Sequence, residues 1–161
     1  MLTAATTITS CSNQNNAHDA AAVTAQNDSI EARQMAKEET FLAQKAKEPG
    51  VQSLGGGLLY KVLRAGNGAQ PTSTSMVTVD YEGKLIDGKQ FDSSRRGSGA
   101  PAVFRVNELI TGWQVALVNM HIGEKWEIYV PAEAGYGERG AGRDIPGHST
   151  LIFQLELIDI N

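Results

Sequence analysis

The chain has 161 residues, of which 41% are hydrophobic and 20% are charged, a composition typical of a globular protein with a packed core. Its net charge of -4, without a basic stripe, gives no reason to expect nucleic acid or an anionic membrane surface as a partner. The single cysteine, Cys11, excludes an internal disulfide. No stretch predicts a transmembrane span. We therefore expect one domain of ordinary size with a smaller N-terminal appendage.

Cys11 lies in a context that bears on location. Together with Ile8-Thr9-Ser10 it is similar to a bacterial lipobox, in which small residues precede a cysteine that becomes lipidated. The residues before it contain no Lys or Arg and are not hydrophobic enough for a complete secretory signal. Either the sequence begins inside a signal peptide, or the match is accidental. A periplasmic or outer-membrane lipoprotein is one expectation, and a cytoplasmic protein is the alternative.

The N-terminal third predicts a tether and a helix. Residues 12–27 are mostly Asn, Gln, Ala, Ser and Thr, which indicates a flexible tether. Asp28-Ser29-Ile30-Glu31 is typical of a capping box, good helix formers continue to Lys47, and Glu48-Pro49-Gly50 ends the helix. Its weak apolar stripe could pack on its own domain or on a second copy, so we expect a monomer or a weak dimer. The predicted division is 1–27, 28–48 and 49–161.

The remaining chain predicts an α+β fold. Residues 52–57 are a Gly-rich joint. Alternating apolar residues and turn signals predict strands over 58–64, 76–86, 89–91, 103–106, 124–130 and 150–158, with a short helix over 112–118. Asp87-Gly88 suits a two-residue hairpin turn. Antiparallel strands with one short helix over their apolar face predict a bent sheet, or half-barrel, wrapped around that helix.

Several patterns that suggest other chemistries fail on their context. Gly135 to Gly140 satisfies G-x-G-x-x-G, but the glycines and proline that follow cannot form the helix that a dinucleotide site needs. The stretch instead predicts a long loop over a pocket mouth. The histidines His18, His121 and His148 match no metal-ligand spacing, so no metal is expected. Ser93 and Ser94 lie in no nucleophile elbow.

Aromatic residues beside turns and strand ends suggest an apolar pocket. Trp113 or Phe153, taken singly, is more often plain core than part of a ligand site. Tyr136 differs, because a tyrosine between glycines in a loop has little core to join and a hydroxyl to offer. Asp92 follows an apolar residue, and two interpretations stay open: a pocket carboxylate, bonded for example to Tyr81, or a turn aspartate that caps the next amides.

These segments together resemble the signature of FKBP-type peptidyl-prolyl isomerases, in that family's order and at nearly its spacing. They are Tyr81-Glu82-Gly83, Phe91-Asp92-Ser93-Ser94, Ile110-Thr111-Gly112-Trp113, Gly135-Tyr136-Gly137 and Leu151-Ile152-Phe153. The resemblance covers roughly the C-terminal two thirds of the chain. It implies the bent antiparallel sheet around a short helix, isomerisation of Xaa-Pro bonds in folding polypeptides, and no cofactor. It also implies possible macrolide ligands such as tacrolimus or rapamycin.

The resemblance assigns roles residue by residue. The implied catalytic residues are Tyr81, Asp92, Ile110 through its amide, and Tyr136 through its hydroxyl. The implied substrate-binding residues are Trp113 as the floor, Phe91, Leu109 and Phe153 as walls, and Ile145 as the lip of the long loop. Departures are Ala102, where the family often has an aromatic residue, Ala141, where some members have histidine, and a slightly shorter loop after Ser94.

The N-terminal helix followed by Gly-Gly-Gly-Leu-Leu-Tyr-Lys-Val is similar to the branch of macrophage infectivity potentiators and periplasmic folding factors, whose helical dimerisation region is much longer. The alternative function is a non-catalytic proline-binding or chaperone module that uses the same pocket. The presence of Tyr81, Phe91, Asp92, Trp113 and Tyr136 together favours catalysis.

Overall fold

A computed structural model describes residues 15–161, with side chains from residue 20 onward. Within residues 15–161, two α-helices and seven strands make up most of the regular structure. The helices are Asn15–Lys45 (α1) and Thr111–Asn119 (α2). The strands are Val51–Gly55 (β1), Leu58–Arg64 (β2), Met76–Leu85 (β3), Gln90–Ser93 (β4), Ala102–Arg105 (β5), Lys125–Val130 (β6) and Leu151–Ile160 (β7). A short 3₁₀ turn follows β5, at Val106–Glu108, and another follows β6, at Ala132–Ala134.

The helix α1 is longer than predicted. It begins at Asn15 instead of near Asp28, so the prediction of a flexible tether is wrong for residues 15–27, and the predicted capping box lies inside the helix. Alanines such as those at 20–22 explain the difference, because alanine favours a helix without needing to be buried. The Ser29 hydroxyl donates to the carbonyl of Gln26 at 2.8 Å instead of capping a helix start. No described helix is both long and apolar enough to cross a membrane.

The chain divides between Arg33 and Gln34 into two units. The second unit contains the last turns of α1, the whole sheet and α2. In it, the Phe41 ring lies edge-on to the Tyr129 ring of β6, with 6.1 Å between centroids. This part of α1 packs on its own domain, one of the two arrangements that the sequence left open. The predicted domain limits stay predictions. The predictions for residues 1–14, which include Cys11, lie outside the described residues.

The sheet is antiparallel throughout, with strand order β1-β2-β6-β7-β3-β4. β3 is bordered on one side by β7 along its length. On its other side it pairs with β5 near its start and with β4 near its end. Bulges interrupt the register at Thr78/Val79 and Gly83/Lys84, and such bulges bend a sheet. The sheet is bent and does not close into a barrel, which confirms the predicted fold class.

The core lies between α2 and the sheet. Trp113, Ala116 and Leu117 of α2 are buried against apolar residues of β3, β6 and β7. Gly112 allows the close approach, because a Cβ there would lie 2.6 Å from Cγ1 of Val130. The start of α2 is therefore held tightly on the sheet.

One loop prediction is wrong. The Gly-rich stretch over 52–57 supplies all of β1 except its first residue, and β1 forms a hairpin with β2. Glycines 55–57 have positive φ and make the turn, so the chain reverses there and does not act as a loose joint. The second hairpin forms where it was predicted, but its loop has three residues, Ile86, Asp87 and Gly88, instead of two, because the Leu85 amide donates to the Lys89 carbonyl at 2.9 Å. Gly88, with φ of 87°, donates its amide to the Leu85 carbonyl at 2.9 Å.

Candidate functional site

An aromatic cavity of about 320 Å³ opens where β3, β4, β5, α2 and β7 come together. A long loop, residues 135–150, which we call the Tyr136 loop, contributes its second residue. The lining residues are Tyr81, Asp92, Phe104, Glu108, Leu109, Ile110, Trp113, Tyr136 and Phe153. A concave apolar site with a few polar groups is the usual form of a small-ligand or peptide pocket.

The floor of the cavity is Trp113, which is 4% exposed. Three rings stand nearly perpendicular to its indole: Tyr81 at 5.0 Å between centroids, Phe153 at 5.1 Å and Phe104 at 6.1 Å. Edge-to-face packing of this kind adds to the stability gained by burial. The buried Nε1 of this indole has no hydrogen-bond partner among the described residues. The orientation of the indole therefore depends on its packing against these three rings.

Phe91 forms a second layer behind the wall. It is buried, does not line the cavity, and packs edge-on against Phe153 with centroids 5.5 Å apart. Gly83 of β3 makes room for both rings, since a Cβ there would lie 2.7 Å from Phe153 Cε1 and 2.7 Å from Phe91 Cζ. Glycine is required here for a close approach to side chains and not for its backbone angles.

Asp92 satisfies both interpretations that the sequence left open. Its Oδ2 accepts a hydrogen bond from the Tyr81 hydroxyl at 2.9 Å, and its Oδ1 accepts one from the Ser93 amide at 2.8 Å. Burial and then the hydrogen bond to Asp92 raise the pKa of Tyr81. The Tyr81 hydroxyl therefore stays protonated at neutral pH and holds the carboxylate at the cavity wall.

Tyr136 stands at the cavity mouth and is 41% exposed. Burial and then the charge of Asp92 raise the pKa of its hydroxyl, which therefore remains a hydrogen-bond donor at neutral pH. The loop that carries it is well braced: the Gly137 amide donates to the Ala132 carbonyl at 2.8 Å, and Ala141 and Ile145 exchange backbone hydrogen bonds of 2.9 and 3.1 Å.

Ile110 supplies a second polar group, from the backbone. Its carbonyl accepts the first amides of α2, from Trp113 at 3.0 Å and from Gln114 at 3.1 Å. The Gln114 side chain in turn donates to the Leu109 carbonyl at 2.6 Å, which fixes the chain just before the helix. In the described part of the chain the Ile110 amide itself donates to no protein acceptor. It is therefore available to a ligand.

The structure differs from the sequence prediction at four cavity positions, of which Phe91, predicted as a wall and found behind it, is described above. Ile145, predicted as the lip, is buried beneath the Tyr136 loop and does not line the cavity, so its contact with a substrate stays a prediction. Phe104 and Glu108 line the cavity but were not predicted. The alternation of β5 could have identified Phe104, because it lies two residues after Ala102 on the same, half-buried face. The Phe104 ring forms part of the cavity wall, on the same face of β5 as Ala102, where the family often has an aromatic residue.

A second hollow, of about 280 Å³, is polar. Asp80, Glu82, Arg95, Lys125 and Glu156 are among the residues that line it. Burial raises the pKa of Asp80, but hydrogen bonds from the Ser94 hydroxyl and the Arg95 guanidinium outweigh it, and the net result is a lowered pKa. This charged hollow does not suit an apolar ligand, and the aromatic cavity is the candidate site.

Comparison with known proteins agrees with this geometry. The family model of FKBP-type peptidyl-prolyl cis-trans isomerases matches residues 67–158, and the model of the domain amino terminal to such isomerases matches residues 3–62. The FKBP-type 22 kDa isomerase of Escherichia coli is 51% identical over 120 residues, which make up 74% of this chain and 58% of that protein. The isomerase Mip of Coxiella burnetii is 48% identical over 124 residues, or 77% of this chain and 54% of that protein. The outer membrane protein MIP of Legionella longbeachae is 45% identical over 125 residues, 78% of this chain and 53% of that one.

Two solved structures have the same fold. The peptidyl-prolyl cis-trans isomerase of Pseudomonas syringae pv. tomato superposes with a TM-score of 0.76 at 38% identity, over 81% of this chain and 95% of that one. FkpA from Escherichia coli superposes with a TM-score of 0.74 at 36% identity, over 94% of this chain and 74% of that one. The chain spans a little over half the length of the three curated relatives. Because the family model matches more than half of the chain, the resemblance of the motifs is confirmed, and the chain belongs to the family of FKBP-type peptidyl-prolyl cis-trans isomerases.

Proposed function

We propose that the protein is a peptidyl-prolyl cis-trans isomerase that acts on Xaa-Pro bonds of folding polypeptides without a cofactor. The observation that carries this proposal is the aromatic cavity floored by Trp113, with the Tyr136 hydroxyl and the Ile110 amide at its edge. A proline ring is apolar and compact, and a cavity of about 320 Å³ has room for it and for its flanking carbonyls. No observation favours the alternative of a non-catalytic binding module.

The barrier to rotation about an Xaa-Pro bond has to be lowered by a moderate amount. Uncatalysed rotation about an Xaa-Pro bond takes tens to hundreds of seconds, because amide resonance must be broken. An acceleration on the order of 10⁵-fold requires about 7 kcal/mol of transition-state stabilisation. The planar amide is strongly dipolar and is well solvated by water. The twisted amide has a smaller dipole and gains less from solvation. A dry aromatic cavity therefore narrows the free-energy difference between the two.

The polar groups act on the carbonyls beside the rotating bond. In this proposal the Tyr136 hydroxyl and the Ile110 amide donate to flanking carbonyls and hold the turn that the twisted amide prefers. Asp92, oriented by Tyr81 at 2.9 Å, stabilises the charge distribution of the rotating carbonyl. Leu109 and Phe153 form the walls, Phe91 supports Phe153 from behind, and Ile145 supports the Tyr136 loop.

The experiment that tests the function is protease-free isomerisation of a short Xaa-Pro-Phe peptide, followed with and without rapamycin. We expect fast catalysis that rapamycin inhibits, because the macrolide competes for the aromatic cavity. Tacrolimus should compete in the same way. Absence of catalysis by folded protein would leave the binding-module alternative in its place.

Two of the polar side chains that line the cavity, those of Tyr136 and Asp92, are tested in the same assay. Tyr136→Phe removes one hydrogen bond to substrate and should lower kcat/KM by about three- to tenfold. Asp92→Ala should lower it by a similar factor without unfolding the domain, whereas Asp92→Asn keeps an acceptor for Tyr81 and separates the loss of charge from the loss of the hydrogen bond. Parent-like activity of Asp92→Ala would remove Asp92 from the mechanism.

We also propose that the protein works in the cell envelope, as a periplasmic or outer-membrane lipoprotein anchored through Cys11. The lipobox-like residues before Cys11 and the name of the Legionella relative support this proposal. The expected result is an intact mass, measured on protein from native membranes, that corresponds to cleavage before Cys11 plus acyl groups. Unmodified Cys11 in a soluble fraction would contradict the anchor, and a cytoplasmic fraction would support the alternative location. Sedimentation of the purified protein decides between the expected monomer and a weak dimer.

A further inference from the structure

Glu38 is a buried charge that the mechanism above does not use. It lies on α1 and is only 5% exposed, although its neighbours Lys37 and Glu39 are exposed. Its Oε2 accepts a hydrogen bond from the backbone amide of Thr150 at 2.9 Å, and its Oε1 accepts one from the Gln34 side chain. A carboxylate is costly to bury unless hydrogen bonds compensate for lost water. The contact with Thr150 is therefore a specific attachment between α1 and a loop 112 residues further along the chain.

Thr150 is the point where the Tyr136 loop ends and β7 begins. It is 1% exposed, and its amide is directed to Glu38 and not to a neighbouring strand. The position of this amide sets where the returning half of the loop enters the sheet.

A short sequence of contacts connects Thr150 to Tyr136. Two residues before Thr150, the His148 amide donates to the carbonyl of Gly137 at 2.9 Å, and Gly137 directly follows Tyr136. The two halves of the loop also touch at Gly147, where a Cβ would lie only 2.0 Å from the Glu138 carbonyl oxygen. Because the halves are in contact, a shift of the returning half moves the half that carries Tyr136.

The loop also contains a strained residue that needs such support. His148 has a φ of 59°, in the left-handed region that residues other than glycine adopt uncommonly, although histidine is found there more often than most. Its own amide makes the contact with Gly137, and the contact of Thr150 with Glu38 follows two residues later. Strained residues of this kind persist only where the surrounding contacts fix them on both sides.

We propose that Glu38 is a positioning residue for Tyr136: by binding the Thr150 amide, it holds the Tyr136 loop in the geometry in which the tyrosine hydroxyl reaches substrate. The inference rests on the proposed isomerase function. Under this proposal the last turns of α1 contribute to the activity of the isomerase domain, in addition to connecting that domain to the preceding residues.

The first test compares Glu38→Ala with Glu39→Ala in the full chain. Glu39 is the adjacent, exposed glutamate, so both changes alter helix propensity equally. We expect Glu38→Ala to lower kcat/KM by about three- to fivefold, no more than Tyr136→Phe does, with the loss mainly in kcat. Glu39→Ala should match the parent. Glu38→Gln keeps an acceptor of the same reach and should restore most of the activity. Equal activity of the two alanine variants would overturn the proposal.

A double-mutant cycle separates positioning from a general loss of stability. If Glu38 acts through Tyr136, then adding Glu38→Ala to the Tyr136→Phe variant should lower kcat/KM by less than about 1.5-fold further. A full, additive loss in that background would contradict the proposal. If Glu38→Ala does not fold, Glu38→Asp takes its place, because its shorter side chain keeps the charge but cannot reach the Thr150 amide.

The proposal can also be separated from the proposed function. An inactive parent protein would refute isomerase activity, and amide chemical shifts would then decide the positioning role. The amides of Tyr136 and Gly137 should shift in Glu38→Ala and not in Glu39→Ala. Unchanged shifts at both amides would overturn the proposal.

Discussion

Replacement of Trp113 by leucine is expected to lower kcat/KM for an Xaa-Pro peptide by about a hundredfold, equivalent to about 2.7 kcal/mol of transition-state stabilisation, and to remove rapamycin inhibition. The indole is the cavity floor and contacts the rings of Tyr81, Phe104 and Phe153. A leucine leaves a void and removes those edge-to-face contacts. The free energy of unfolding should fall by about 2 to 4 kcal/mol, a little less than the cost of truncation to alanine. Peptide isomerisation and urea unfolding measure the two effects.

Trp126→Leu is the matched control for this variant. Trp126 is also 4% exposed, and its Nε1 also has no partner among the described residues, but it stacks on Tyr60 at 4.3 Å and does not line the cavity. Its loss of stability should be similar, while kcat/KM should stay within about twofold of the parent. Comparable losses of activity in both variants would show that destabilisation, and not the cavity floor, explains the Trp113 result.

Replacement of Gly140 by alanine should lower kcat/KM through the Tyr136 loop by about three- to tenfold, as much as the loss of the Tyr136 hydroxyl itself. A Cβ at this position would lie 2.0 Å from the Ile145 carbonyl oxygen, and the residue has a φ of 65°. Because the clashing atom belongs to the backbone, the opposite half of the loop must move, and the loss of orientation at Tyr136 reduces catalysis. The urea midpoint should also fall, because a left-handed alanine costs about 1 to 2 kcal/mol and the clash with the Ile145 carbonyl adds to that cost.

Gly142→Ala provides the control within the same loop. Its φ of 56° is also in the left-handed region, but a Cβ there would meet no atom within 4 Å. This variant therefore carries only the conformational cost of about 1 to 2 kcal/mol, and kcat/KM should fall by less than about threefold. If Gly142→Ala loses as much activity as Gly140→Ala, backbone strain alone is responsible, and the contact with Ile145 is not.

The fold and most of the cavity could be predicted because they depend on local patterns. Alternation over Val77, Val79 and Tyr81 identifies β3, and the motif around Trp113 locates the helix that faces it. The strand β1 was missed because its glycines indicate a turn equally well when no partner strand is known. The extent of α1 was underestimated because polar alanine-rich sequence is compatible with both a tether and a helix.

The contacts that could not be predicted are those between distant segments. The bond from Glu38 to Thr150 joins residues 112 positions apart, and a glutamate on a polar helix gives no sign of it. Only the resemblance to the family places Ile145 at the lip of the cavity. Which side of a loop faces inward depends on hydrogen bonds such as those between Ala141 and Ile145, and no periodic pattern reports them.

The place of β7 in the sheet has a consequence for how the protein reaches its native state. Residues 151–160 follow the other strands in the chain but lie between β6 and β3, in the middle of the sheet. A chain growing from its N-terminus can form the two hairpins early, yet it cannot join the halves of the sheet until this segment is available. The decisive pairings are long-range, and such topologies fold slowly and expose unpaired strands meanwhile. Until that last strand is in place, this protein is itself an incompletely folded chain with a proline, Pro146, only five positions before the strand that completes it.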